Sequence, residues 1–143
     1  MPAESAIRVL LVEDNPIDAK ATIRAAKKLK IANHIELVTD GNAALDHLRR
    51  DPVDGPPPDL VLLDLNLPGK DGMDVLAEMK KDERLRWIPV VVLTTSADEA
   101  DVFGSYDLGA NAFITKPVGL DDWMDVVSKI EGFWFEVVRL PRA

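Results

Sequence analysis

The chain has 143 residues, of which 47% are hydrophobic and 29% charged, as expected for one globular domain with its own core. Seventeen basic residues against 25 acidic ones give a formal charge of −8, which argues against binding to nucleic acid because phosphate backbones require clustered Lys and Arg. The absence of Cys excludes disulfides and thiolate metal sites. There is no secretory signal and no apolar run near the ~18 residues of a membrane span, so we expect a cytoplasmic protein that is not bound to a membrane.

Apolar runs alternate with helical patterns along most of the chain. The apolar runs predict five strands, at residues 7–12, 34–38, 60–64, 89–93 and 112–115. Apolar residues at helical spacing predict five helices, at residues 16–29, 43–50, 73–81, 98–108 and 120–130. Pro16 suits the first turn of the first helix, and Gly109 suits the end of the fourth.

A proline-rich loop follows the second helix. Residues 51–58 include three consecutive prolines, which predict an exposed, stiff loop that is too short to divide two domains. Five βα units in succession then predict one α/β domain over residues 1–130, a doubly wound (βα)5 three-layer sandwich with helices on both faces of a parallel sheet. Residues 131–143 form a C-terminal apolar arm.

Carboxylates stand where two of the predicted strands end. Glu13 and Asp14 follow the first strand, and Asp64 ends the third. The carboxyl ends of parallel strands meet at one edge of the sheet, so we expect one acidic cluster there. Such a cluster suits a hard cation such as Mg²⁺ and can present a carboxylate to a phosphoryl group. Thr94 and Lys116 also fall at strand ends.

The order Glu13-Asp14, Asp64, Thr94 and Lys116-Pro117, with 30 residues from Asp64 to Thr94 and 22 from Thr94 to Lys116, resembles the signature of response-regulator receiver domains of two-component signalling. The segment from Asp64 to Gly72 also fits the family. The resemblance covers residues 7 to about 130. It implies a flavodoxin-like fold with a five-stranded sheet of order 2-1-3-4-5, and phosphorylation by a histidine kinase.

The resemblance also implies a role for each site residue. Asp64 would be the phosphoacceptor, and Asp14 and Asp64 would bind Mg²⁺ directly, with Glu13 acting through water and the backbone carbonyl of Asn66 as a further ligand. Lys116 would neutralise one phosphoryl oxygen, while the Thr94 hydroxyl would donate to another. Taken singly, each residue has an ordinary alternative role. Asp64 could form a turn, Thr94 could be structural, and Lys116 could be a solvated surface lysine.

Further positions concern the switch and the lifetime of the phosphoryl group. Phe113 stands where receivers carry an aromatic switch residue, with plain core packing as the alternative. The resemblance implies a cis peptide bond before Pro117, which would aim the preceding lysine inward. Asn66, Thr95 and Ser96 stand where receivers tune the dephosphorylation of the acyl phosphate.

The C-terminal arm carries a large apolar load for a chain terminus. We favour an arm that supports a homodimer over one that packs only on its own domain. The Phe-Trp-Phe…Leu-Pro ending of the arm, together with the proline-rich loop and Leu93-Thr-Thr-Ser96, resembles regulators encoded beside phytochrome-type histidine kinases. This resemblance predicts such a kinase as the partner. Only about a dozen residues follow the fifth helix, so we expect no DNA-binding output domain. The apolar residues of the arm are Phe133, Trp134, Phe135, Val138 and Leu140.

Two other classes of protein share parts of this pattern. A phosphatase of the haloacid-dehalogenase type needs a second Asp two residues after its aspartate nucleophile, and Asn66 occupies that position. A flavodoxin-like cofactor-binding module needs a phosphate-cradling loop after the first strand, where Glu13 and Asp14 would repel the phosphate. We therefore expect a phosphoacceptor rather than a turnover enzyme.

Overall fold

The computed structural model describes residues 6–141, so the N-terminal residues 1–5 and the last two residues of the predicted arm lie outside the described part of the chain. Its elements in chain order are β1 (Ile7–Val12), α1 (Pro16–Lys27), β2 (Asn33–Val38), α2 (Gly41–Arg49), a 3-10 turn (Pro52–Asp54), β3 (Leu60–Leu63), α3 (Gly72–Lys81), β4 (Val90–Thr94), α4 (Glu99–Asp107), β5 (Ala112–Thr115), α5 (Leu120–Glu131) and a π-helical turn (Gly132–Val137). Within the described residues, no helix has the length and apolar character needed to cross a membrane.

The five strands form one parallel sheet of order β2-β1-β3-β4-β5, which confirms the predicted fold. At its carboxyl edge, Val12 of β1 is in register with Leu63 of β3. Thr94 at the end of β4 is likewise in register with Thr115 of β5. The residues that follow these strands are therefore brought to one edge of the sheet.

Each face of the sheet is covered by its own hydrophobic cluster. Because strand side chains alternate, Leu10 and Val12 face a cluster that α2 and α3 complete, while Val9 and Leu11 face one that α1 and α5 complete. Burial on both faces explains why the central strands β3 and β4 are nearly continuous apolar runs.

The predicted proline-rich loop is present, and it begins with the 3-10 turn Pro52–Asp54. Asp51 caps this turn by accepting a hydrogen bond from the backbone N–H of Val53. The four residues 51–54 are exposed, whereas Pro58 is buried just before β3. The loop therefore packs back onto the domain at its C-terminal end.

The C-terminal arm is divided between the core and the surface. Phe135 is 2% exposed and belongs to the cluster of α1 and α5, and Trp134 and Leu140 pack against that cluster. Phe133 and Val137 are 52% and 72% exposed. Part of the arm thus packs on its own domain, which was the less favoured of the two expectations.

Candidate functional site

The loops after β1 and β3 bring three carboxylates together. The backbone N–H of Asp64 donates to the carbonyl of Val12 at 3.0 Å, which fixes the end of β3 beside the end of β1. Carboxylate oxygens of Glu13, Asp14 and Asp64 lie within 4.8 Å of one another. Glu13 and Asp64 are buried, whereas Asp14 is exposed. This set of oxygen donors, open on one side, fits a hard divalent cation that keeps part of its water shell.

Lys116 extends from the end of β5 into this carboxylate cluster. Its backbone N–H donates to the Thr94 carbonyl at 2.7 Å. Its buried ammonium donates to Glu13, to Asp64 Oδ2 at 3.1 Å and to Asp18 Oδ2 at 2.9 Å. The contact with Asp64 brings the predicted acceptor and the predicted lysine together in one site. Asp18, in the first turn of α1, was not among the predicted site residues.

Burial and crowding of charge set the ionisation of this cluster. Burial raises the pKa of Glu13 to about 7, an effect that the hydrogen bond from Lys116 opposes and that the neighbouring Asp64 reinforces. Burial alone would lower the pKa of Lys116, but its contacts with Glu13 and Asp18 outweigh that effect and raise it. The lysine therefore stays protonated at neutral pH, and the cluster retains an excess of negative charge that attracts a cation.

The end of β4 supplies hydroxyl groups on the other side of Asp64. Thr94 is buried, and its Oγ1 accepts a hydrogen bond from Asn66 Nδ2 at 3.1 Å and from the backbone N–H of Ser96 at 3.3 Å. A hydroxyl has two acceptor positions and one donor, so the Thr94 O–H remains able to donate to a newly arrived oxygen. Asn66 Nδ2 also lies 3.4 Å from Thr95 Oγ1, and the Asn66 backbone N–H donates to Asp64 Oδ1.

Comparison with known proteins agrees with this geometry. The sequence model of the response regulator receiver domain matches residues 9–128. The chain belongs to this family. It is a receiver of two-component signalling, and the rival phosphatase and flavodoxin-like interpretations are not favoured.

The receiver also has similar relatives and solved structures. It is 45% identical over 137 residues to response regulator Rcp1 of Synechocystis sp., which covers 94% of this chain and 93% of Rcp1. The crystal structure of the Mn²⁺-bound form of Rcp1 superposes with a TM-score of 0.91 at 44% identity, covering 94% of this chain and 99% of that one. The phosphorylated cyanobacterial phytochrome response regulator RcpA gives a TM-score of 0.90 at 43% identity, covering 95% and 99%.

The predicted aromatic residue of this receiver lies between surface and core. Phe113 is half-buried and packs against the cluster of α2 and α3. Its backbone N–H also lies 3.2 Å from the phenol oxygen of Tyr106 on α4. Core packing and a part in a switch are both compatible with this position.

The predicted cis bond before Pro117 is wrong, because all peptide bonds of the described residues are trans. The inward aim of Lys116 has another source. Its backbone is held at the end of β5 by the Thr94 carbonyl, and its long side chain reaches the carboxylates from there. The turn into α5 is made instead at Gly119, whose φ of 99° lies in the region that favours glycine.

A close approach of α3 supports the loop that carries Asp64. A Cβ placed on Gly72 would lie 2.4 Å from the carbonyl oxygen of Asp64. The Gly72 N–H donates to the Leu65 carbonyl at 3.0 Å. Glycine is therefore required where α3 begins, because any side chain would displace the backbone at Asp64.

Proposed function

We propose that this receiver accepts a phosphoryl group from a histidine kinase on Asp64 in a reaction that depends on Mg²⁺. The observation that carries the proposal is the convergence of buried Asp64 with two further carboxylates and the ammonium of Lys116. In the transfer, an Asp64 oxygen forms a bond to phosphorus as the bond from phosphorus to the phosphohistidine nitrogen breaks. The electron pair of that broken bond leaves with the imidazole, and Asp64 becomes an acyl phosphate.

The residues around Asp64 would provide the charge balance that this transfer needs. Asp14 and Asp64 would hold Mg²⁺ directly, with Glu13 acting through water and the Asn66 carbonyl as a further ligand. The bound ion would offset the repulsion between a carboxylate and an anionic phosphoryl group. Lys116 would neutralise one phosphoryl oxygen as a point charge.

The switch would follow from the same contacts. The Thr94 hydroxyl, which already accepts two hydrogen bonds, would donate to a phosphoryl oxygen and draw the start of the β4–α4 loop toward Asp64. Phe113 would then fill the space that this movement leaves. The balance between the inactive and the active conformation would change only by the difference between the free energies with which the phosphoryl group interacts with each of them. Asn66, whose backbone N–H donates to Asp64 Oδ1, would set the lifetime of the acyl phosphate together with Thr95 and Ser96, which follow Thr94 at the end of β4.

We infer that the donor is a phytochrome-type histidine kinase, and similarity to RcpA over nearly the full length of both chains supports this inference. Because such a kinase draws its phosphoryl group from ATP, the receiver would act in the cytoplasm. It would be labelled once per chain rather than turn over substrate. Asn66 supports this view, since its amide cannot serve as the general acid that an aspartate-nucleophile phosphatase needs at that position.

We also propose that the arm supports a homodimer. Its residues Phe133 and Val137 are exposed beside Trp134 and Val138, which are only partly buried. Contact with a second copy would remove this apolar surface from water. Phe135 contributes indirectly, by holding the arm on its own domain.

Intact-mass analysis with acetyl phosphate and Mg²⁺ tests the phosphoacceptor. We expect the wild-type chain to gain one phosphoryl group and the Asp64→Asn variant to gain none. Asp46→Asn removes an exposed carboxylate of α2 and should be labelled like the wild type. Labelling of Asp64→Asn would refute the assignment, and repeated hydrolysis of a phosphate ester by the wild type would favour a phosphatase instead.

A further inference from the structure

Asp18 is a carboxylate of the site that lies outside the group able to hold a cation. It stands in the first turn of α1 and is partly exposed, and its Oδ2 accepts a hydrogen bond from Lys116 Nζ at 2.9 Å. Glu13, Asp14 and Asp64 form the compact carboxylate group, and Asp18 is not part of it. Its contact with the lysine therefore needs a separate explanation.

The hydrogen bonds of Lys116 leave it no spare donor. A lysine ammonium carries three N–H groups, and here they meet Glu13, Asp18 and Asp64. Any phosphoryl oxygen that binds this ammonium must replace one of these partners. A cation would draw on the oxygens of Glu13 and Asp64, whereas Asp18 would keep its full negative charge for the lysine.

The backbone of Asp18 is held in place by hydrogen bonds, so the contact forms where the flexible side chain of Lys116 reaches this carboxylate. The Asp18 N–H donates to Asn15 Oδ1 at 3.1 Å, and its carbonyl accepts from Thr22 Oγ1 at 2.8 Å. The lysine ammonium also lies 5.6 Å from the centre of the Trp123 ring on α5. The hydrogen bond to Asp18 thus holds the ammonium of Lys116 between α1 and α5.

We propose that Asp18 is a positioning residue that competes with the phosphoryl group for Lys116 and thereby shortens the lifetime of the phosphorylated state. The inference rests on the proposed phosphorylation of Asp64. Before transfer, Asp18 holds the ammonium in place. After transfer, it draws the ammonium away from the phosphoryl oxygens, so that the negative charge of the acyl phosphate is less well balanced.

The test compares the decay of the phosphorylated protein in two variants of equal charge. Asp18→Asn keeps the side-chain length and the backbone contacts of α1 but removes the charge. Asp46→Asn removes an exposed carboxylate elsewhere and controls for the change in net charge. Each protein is labelled with acetyl phosphate and Mg²⁺, the donor is removed, and the loss of the phosphoryl group is followed by intact mass.

We expect Asp18→Asn to lose its phosphoryl group about fivefold more slowly than the wild type, a modest factor because the Asp18–Lys116 contact is partly open to solvent. Asp46→Asn should decay like the wild type. Equal or faster decay of Asp18→Asn would overturn the competition. A wild-type chain that is never labelled would instead refute the proposed function, so the two failures can be distinguished.

A second measurement separates competition from a structural role for Asp18. With ¹⁵N-labelled lysine, the side-chain nitrogen resonance of Lys116 reports the partners of its ammonium. In unphosphorylated Asp18→Asn, this resonance should shift from its wild-type position toward that of the phosphorylated wild type. An unshifted resonance would show that Asp18 does not determine where the ammonium lies, and would contradict the proposal.

Discussion

Glu131, at the end of α5, provides a sharp test of the energetics of this fold. Its side chain is 0% exposed, and neither carboxylate oxygen has a hydrogen-bond partner within residues 6–141. Burial raises the pKa of this carboxyl group from 4.5 to about 8. The folded protein therefore holds a proton on Glu131 at pH values where the unfolded chain has released it.

The sign and size of the effect follow from this difference. Between pH 4.5 and about 8 the folded state binds more protons than the unfolded state, so stability falls as the pH rises through this window. At about 1.4 kcal/mol per pKa unit, the full shift corresponds to about 5 kcal/mol. Relaxation and entry of water reduce this figure, so we expect Glu131 to cost about 2–3 kcal/mol at pH 8 relative to pH 5.

Replacing Glu131 by Gln should remove this part of the pH dependence. The variant should match the wild type near pH 5 and exceed its free energy of unfolding by about 2–3 kcal/mol above pH 8. Urea unfolding followed by tryptophan fluorescence, at a series of pH values with chelator present, measures the difference. The raised pKa of Glu13 also makes the free energy of unfolding fall with rising pH. This contribution is present in both proteins, so it cancels in the difference between the wild type and Glu131→Gln.

Glu136→Gln is the matched control, because it makes the same chemical change at an exposed position of the same arm. Its pH profile should follow that of the wild type. Superimposable profiles for the wild type and Glu131→Gln would refute the reasoning, since they would show that the buried carboxyl group ionises as easily in the folded chain as in the unfolded one.

Other substitutions test the loop at the site and the arm. Gly72→Ala should destabilise the receiver by more than about 3 kcal/mol in thermal melts, because the new Cβ would lie 2.4 Å from the Asp64 carbonyl oxygen. The control is Gly104→Ala, which should be nearly neutral because its Cβ would meet only the flexible end of a methionine side chain. Equal losses of stability in the two variants would contradict the steric argument. Phe135→Ala should cost about 3–5 kcal/mol of unfolding free energy. Phe133→Ala should leave stability within about 0.5 kcal/mol and weaken self-association in sedimentation, and an unchanged sedimentation profile would count against the proposed dimer.

The central strands β3 and β4 were predictable from the sequence because they are buried on both faces. The predicted bounds of all five strands lie within a residue of the observed ones, including those of the edge strand β2, whose residues are of mixed polarity. The end of α5 was harder to predict. Gly132 is a common signal for a helix end, yet it keeps helical φ and ψ angles of −57° and −45° and continues into the π-helical turn. Burial of Phe135 against the domain overrides the local preference of the glycine.

The site was predictable where topology alone determines position. Glu13 and Asp64 meet because β1 and β3 are neighbours, but the contact of Asp18 with Lys116 depends on how α1 lies over the sheet edge, which residue spacing does not specify. The burial of Glu131 did leave a signal. It follows Trp123 and Val127 at intervals of four residues, which places it on the buried face of α5.

The backbone hydrogen bond between Lys116 and Thr94 bears on how the lysine can move. The N–H of Lys116 is bonded to the Thr94 carbonyl, so its backbone and that of the predicted hydroxyl donor are tied together at the ends of β5 and β4. The flexible stem of the lysine can then exchange Asp18 for a phosphoryl oxygen without a change in the backbone. A phosphoryl group on Asp64 would therefore affect both α1 and the β4–α4 loop, through Lys116 and Thr94, whose backbones are bonded to each other. The lysine would release the side chain of Asp18, and Thr94 would draw in the loop that leads to α4.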